Sequence, residues 1–148
     1  MILVNLNPAY KSSELEYVLN KVSCKALVIA PQFKSSNYQE ILTKIAPEIT
    51  QSTDKLLASQ KLPHLKHIIK IDHEQHTGIH RFADLLPEPT ATQLDQLQAI
   101  AADLQFDETI NIQFTSGTTG NPKGTMLTHN NILNNGYFVG EAIHLTPQ

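Results

Sequence analysis

Cysteine is almost missing from this sequence: Cys24 stands alone in 148 residues. That excludes an intramolecular disulfide and fits a reducing compartment, with the cytoplasm as the expected location. Beside an apolar run, Cys24 reads as a small buried residue and not as a reactive thiol. No apolar stretch reaches the roughly 18 residues needed to span a bilayer, so no transmembrane segment is expected. The opening Met1-Ile2-Leu3-Val4-Asn5 lacks the basic and long apolar regions of a secretory signal. Charge is sparse too, at 17% of residues, and the net charge of −3 comes from interspersed signs. With no polybasic run to neutralise a phosphate backbone or an anionic lipid surface, nucleic acid is not an expected partner. Internal repeats and low-complexity segments are absent.

What remains is a globular composition, 41% hydrophobic, at a one-domain length. A chain of this size can bury roughly 68–70% of its unfolded surface, so a real core is possible. Ile2 to Val4 form a short strand that begins at once, which points to missing upstream sequence, and Asn5-Leu6-Asn7-Pro8 ends it. Ser13-Glu14-Leu15-Glu16 has the form of a capping box, and Leu15, Val18, Leu19 and Val22 follow at helical spacing. Ala26 to Ala30 is a continuous apolar run closed by Pro31, as in a strand buried on both faces. Strand, helix and strand at this length predict a right-handed βαβ unit.

A second helix starts near Asn37 to Glu40, with Tyr38, Ile41, Leu42 and Ile45 on one stripe and Pro47 as its limit. Residues 48–61 are polar enough for a short helix or a surface excursion. His67 to Ile71 reads as a strand, and residues 72–90, with Gly78, Pro87 and Pro89, as an irregular connection. Leu94, Leu97, Ile100 and Leu104 mark a third helix, and Thr109 to Phe114 alternates as a strand should. Thr128 caps a last helix over residues 128–143. Its Ile132, Leu133, Gly136, Tyr137 and Gly140 share one side, with the two glycines suited to close packing on a sheet. The fold class is therefore α/β, a partial, largely parallel sheet with flanking helices.

Residues 115–124 read Thr115-Ser116-Gly117-Thr118-Thr119-Gly120-Asn121-Pro122-Lys123-Gly124, four hydroxyls and three glycines between two strand-like runs. Polyanion binding wants this composition. Glycine lets backbone N–H groups approach an anion with no Cβ in the way. Hydroxyls add donors, and Lys123 supplies a point charge on a long stem. The spacing is not that of a Walker A loop: Pro122 precedes the lysine and no helix is signalled after it. The bland alternative is a Gly/Thr-rich turn with no ligand.

This ten-residue stretch resembles the signature loop of the adenylate-forming (AMP-binding) superfamily, which includes acyl-CoA synthetases, aryl-CoA ligases and peptide-synthetase adenylation domains. Leu127-Thr128-His129-Asn130-Asn131-Ile132 after it, and Val4-Asn5-Leu6-Asn7-Pro8-Ala9-Tyr10 near the start, resemble the fatty-acyl branch, most of all the medium-chain acyl-CoA synthetases. The resemblance is strong over roughly 2–30 and 107–146. It implies that residues 1–148 are a fragment of the AMP-binding domain, without the C-terminal domain. It implies ATP, Mg²⁺ and coenzyme A as cofactors or co-substrates, and ATP, a fatty acid and CoA as the small-molecule partners. Carried over residue by residue, Thr115, Ser116, Gly117, Thr118, Thr119, Gly120 and Lys123 are the phosphate contacts. No catalytic or metal-ligating residue is assigned within the chain, since the family's acidic metal ligand, ribose-binding Asp and catalytic Lys lie in later elements. Alone, the chain is expected to be inactive. The alternatives are another adenylating ligase or an inactive truncated product.

Five histidines crowd residues 64–80, and His64/His67 and His73/His76 have chelating spacing. His73-Glu74-Gln75-His76 is one residue short of a zincin motif, and no helix is signalled there. A solvated histidine-rich loop is the expected reading. His129, near the phosphate loop, is read as a helix-start residue with no catalytic duty.

Overall fold

A computed structural model describes residues 1–115 and 120–146. The chain divides into two compact units, residues 7–88 and residues 1–6 with 89–148.

In the first, α1 (Ser12–Lys21) starts one or two residues earlier than Ser13 predicts. Glu14 closes the helix start by accepting from the Lys11 N–H at 2.8 Å, so the reciprocal partner is Glu14 and not Glu16. Leu15, Val18 and Leu19 are its buried stripe. β2 (Ala26–Ile29) ends ahead of Pro31, and a short hairpin, β3 (Gln32–Phe33) and β4 (Ser36–Asn37), leads into α2 (Tyr38–Ile45). Asn37 caps α2 by accepting from the Glu40 N–H at 3.2 Å, and Pro47 stops it by opening a 3-10 turn over Pro47–Gln51. β5 (His67–Lys70) pairs parallel with β2, and β6 (His80–Arg81) pairs parallel with β5. Ile41, Leu42, Ile45, Ile49, Leu57, Leu62, Leu65, Ile68 and Ile79 are buried with the α1 stripe.

Two expectations change here. Of the two readings of residues 48–61, the short helix holds in part, as the 3-10 turn at Pro47–Gln51, and the surface excursion does not, since Ile49 and Leu57 are 2% exposed and fill the core. β2 is buried on one face only, since Leu27 and Ile29 face the core and Val28 is exposed. The connection 72–90 is irregular as expected, apart from β6 and a 3-10 turn at Phe82–Leu85.

In the second unit, β1 (Leu3–Asn5) pairs parallel with β7 (Thr109–Thr115), and β7 pairs antiparallel with β8 (Lys123–Thr128). β1 and β2 therefore lie in different sheets and do not make the predicted βαβ unit. Adjacency in sequence suggested that unit, but backbone pairing sends β1 to a partner more than a hundred residues away. The parallel pair of that kind is β2 with β5, connected through α2. α3 (Ala91–Asp103) and α4 (His129–Ala142) complete the unit, each opened by a capping box from Thr90 and Thr128. Parallel pairing in both three-stranded sheets, with helices between strands, is the expected α/β class.

Candidate functional site

β7 and β8 form a hairpin that flanks the Gly/Thr-rich sequence. β7 is rich in β-branched and alternating residues, and β8 returns with Phe114 opposite Gly124 and Thr115 opposite Lys123. Thr115 Oγ1 donates a long hydrogen bond of 3.5 Å to the Lys123 carbonyl oxygen, so the last ladder rung is also tied by a side chain. Thr115, Gly120 and Lys123 are exposed at this mouth. Ser116, Gly117, Thr118 and Thr119 lie outside the described residues. Gly120 has φ +93°, where only glycine is unstrained, and a Cβ there would meet nothing within 4 Å. Its glycine is required by backbone conformation and not by crowding.

Gly124 answers a different need. A Cβ on it would lie 3.2 Å from Ile112 Cγ2 and 3.4 Å from Phe114 Cε1, so the absent side chain makes room for the facing strand. The sequence placed Gly124 inside the motif without giving it a role. Asn111 was missed altogether: it is 6% exposed in β7, and its side-chain N–H₂ donates to the Leu3 carbonyl at 3.2 Å. A polar residue inside an alternating strand was the signal. Thr128 accepts from the Asn131 N–H at 3.1 Å, and Asn131 accepts in return from the Thr128 N–H at 3.1 Å. His129 is the first residue of α4, as the sequence reading had it. The glycines of α4 do not make the expected sheet contact. A Cβ at Gly136 meets nothing within 4 Å, because no element of this unit covers that side among the described residues.

In the other unit, the histidine-rich segment is only partly solvated. His64, His67 and His73 are exposed, whereas His76 and His80 are half-buried. His76 belongs to a polar cluster at the end of β5. Lys70 Nζ lies 2.9 Å from each of Asp72 Oδ2, His76 Nε2 and Gln39 Oε1, with its side chain 8% exposed. His76 Nε2 is also 2.9 Å from Asp72 Oδ2. Burial pushes the Asp72 carboxyl up, but hydrogen bonds from Lys70 and His76, and their charges, outweigh it and hold it below the usual carboxylate range. Asp72, Glu74 and His76 could in principle share an ion, yet the Lys70 ammonium already fills the position between two of them. Among the described residues the histidine pair in contact is His67 with His80, and neither His64/His67 nor His73/His76 shows such a contact.

With this geometry in hand, known proteins supply the class. The chain belongs to the AMP-binding enzyme family, which it matches over residues 1–147. It is 47% identical to the medium-chain acyl-CoA ligase ACSF2, mitochondrial, of Macaca fascicularis, across all of this chain and 24% of that protein. Against the protein of the same name from Danio rerio it is 43% identical over 97% of its length and 23% of the relative's. The chain thus spans about a quarter of the length of the curated relatives it matches. Among solved structures it is similar to the anthranilate CoA ligase AuaEII in complex with anthranoyl-AMP. That match has a TM-score of 0.56 and 26% identity, over 86% of this chain and 20% of the other. Among the described residues, no helix is long and apolar enough to cross a membrane.

Proposed function

We propose that residues 1–148 are a piece of the AMP-binding domain of an AMP-forming acyl-CoA synthetase, and that residues 115–124 grip the phosphates of ATP. The observation that carries this reading is the β7–β8 hairpin, which sets Thr115 opposite Lys123 at the mouth of a loop of hydroxyls and glycines. The parent is an acid–thiol ligase: a carboxylate attacks the α-phosphorus of ATP and pyrophosphate leaves, then the thiol of coenzyme A displaces AMP. Negative charge accumulates on the leaving pyrophosphate, so donors fixed in advance by the hairpin lower that barrier. In this assignment Thr115, Ser116, Thr118, Thr119 and Lys123 donate through side chains, and Gly117 and Gly120 through their backbone amides.

The substrate reading is a fatty acid of medium length, supported by the names of the relatives at 43–47% identity. The anthranilate ligase favours the second reading, an aryl-CoA ligase, at lower identity. Mg²⁺ enters as the companion of ATP, bound to the same phosphates. Nucleic acid has no place among the partners, for want of a basic surface in the sequence. The sequence reading favours the cytoplasm, whereas the relatives' names say mitochondrial, and a lone Cys24 fits either compartment.

The test is ATP–pyrophosphate exchange by the full-length parent. Thr119→Ala and Lys123→Ala should each slow exchange by about a hundredfold or more, the usual effect of removing one preorganised donor. Exchange at the unaltered rate in both variants would remove the phosphate assignment. The chain on its own, spanning a quarter of its relatives, should form no acyl-CoA from ATP, fatty acid and CoA.

A further inference from the structure

His67 and His80 are thirteen residues apart, a spacing that matches no metal-binding motif. Tertiary pairing brings them together. In the β5–β6 register Ile69 stands opposite His80, and His67, two residues before Ile69, shares its face of the sheet. The result is a diagonal pair across two parallel strands, with ring centroids 5.4 Å apart and ring planes inclined by 52°. His67 Nδ1 lies 3.3 Å from His80 Nε2. Two nitrogens bound to one tetrahedral zinc at about 2.0–2.1 Å each are separated by about 3.3–3.4 Å.

We propose that His67 and His80 form a two-histidine site for a divalent transition ion of the imidazole-preferring kind, Zn²⁺ or Cu²⁺, which staples β6 to β5. The site asks only for neutral rings with both facing nitrogens as lone pairs, so each imidazole carries its proton on the outward nitrogen. His67 is exposed and His80 half-buried, which leaves the remaining coordination positions to water. Among the described residues no third histidine, cysteine or carboxylate joins this pair; the single three-residue group is Asp72, Glu74 and His76. That group is a poor competitor, since the Lys70 ammonium sits 2.9 Å from both Asp72 Oδ2 and His76 Nε2. The competing account of the His67–His80 contact is a plain hydrogen bond between opposite tautomers, and metal binding separates the two accounts.

The experiment titrates the full chain with Zn²⁺ in a non-chelating buffer and reads heat and stoichiometry. One ion per chain is expected, with binding lost in both His67→Asn and His80→Asn and kept in His76→Asn. Both substituted histidines lie outside the buried core, and electron paramagnetic resonance of the wild-type chain with Cu²⁺ reads the same site without any substitution, as coordination by two imidazole nitrogens. Absence of zinc binding, binding unchanged in His67→Asn and His80→Asn, or loss confined to His76→Asn would each overturn the proposal, as would a copper spectrum showing a single nitrogen.

Discussion

Consider an alanine at Gly78. The native residue turns at φ +72°, in the left-handed region where an L-residue costs about 1–2 kcal/mol. A Cβ there would lie 1.9 Å from the carbonyl oxygen of Ile49 and 3.0 Å from its carbonyl carbon. A carbon–oxygen contact settles near 3.3 Å, so the two backbones must separate by about 1.4 Å. The oxygen is main chain, and Ile49 is 2% exposed, so no rotamer change relieves the overlap. The shift must instead loosen the 3-10 turn at Pro47–Gln51 or lift Ile79, also 2% exposed, from the core. Overpacking of this kind adds about 1–3 kcal/mol. The sum, about 2–5 kcal/mol, is a large share of the 5–15 kcal/mol that holds a typical domain. Urea unfolding followed by far-ultraviolet circular dichroism measures it. Gly136→Ala is the control: its Cβ meets nothing in α4, and helix propensity should stabilise it by up to about 1 kcal/mol. A Gly78→Ala midpoint equal to wild type would refute the steric reasoning.

Asp72→Asn should destabilise by about 3 kcal/mol, because it leaves the buried Lys70 ammonium without its counter-charge; a Lys70→Met/Asp72→Asn double variant recovering most of the loss would confirm the pairing by the same urea assay. The Asp72 carboxyl is held low in the folded chain, so its contribution is full above the unfolded value of about 3.9 and is lost as pH falls through the lower folded value. Stability of the wild type should accordingly drop more steeply below about pH 4 than that of Asp72→Asn, and parallel pH profiles would count against it. Burial pushes the Cys24 thiol up, more than a hydrogen bond from the Ala26 backbone brings it down. Alkylation at neutral pH should therefore be slower in the native chain than in urea, and equal rates would contradict that.

Helices were the most legible part of the sequence. Three of four residues in each expected stripe are buried, Leu15-Val18-Leu19 and Ile41-Leu42-Ile45, while Val22 and Tyr38 are half-buried, and Asn37, Pro47 and Thr128 mark the boundaries they were expected to mark. A helix is written locally, within four residues, so local reading suffices. The stripe of α3 shows the limit of that reading: Leu94, Leu97, Ile100 and Leu104 are all exposed, since periodicity says which residues share a face and not what covers it. Strand pairing was less legible for the same reason. Nothing near Leu3 names Asn111 as its partner, and nothing near Ala26 names His67.

The proposal that residues 115–124 bind a polyanion comes from the sequence alone, because it rests on residue types: hydroxyls, glycines and one lysine close together along the chain. Tertiary structure decided which distant groups meet. It set Thr115 against Lys123 across a hairpin, closed Lys70 on Asp72, His76 and Gln39, and brought His67 to His80 in place of the neighbours that sequence spacing offered. Chemistry carried by consecutive residues survives in a one-dimensional reading. Chemistry that depends on strand register does not, because a shift of one residue in pairing turns every side chain to the other face.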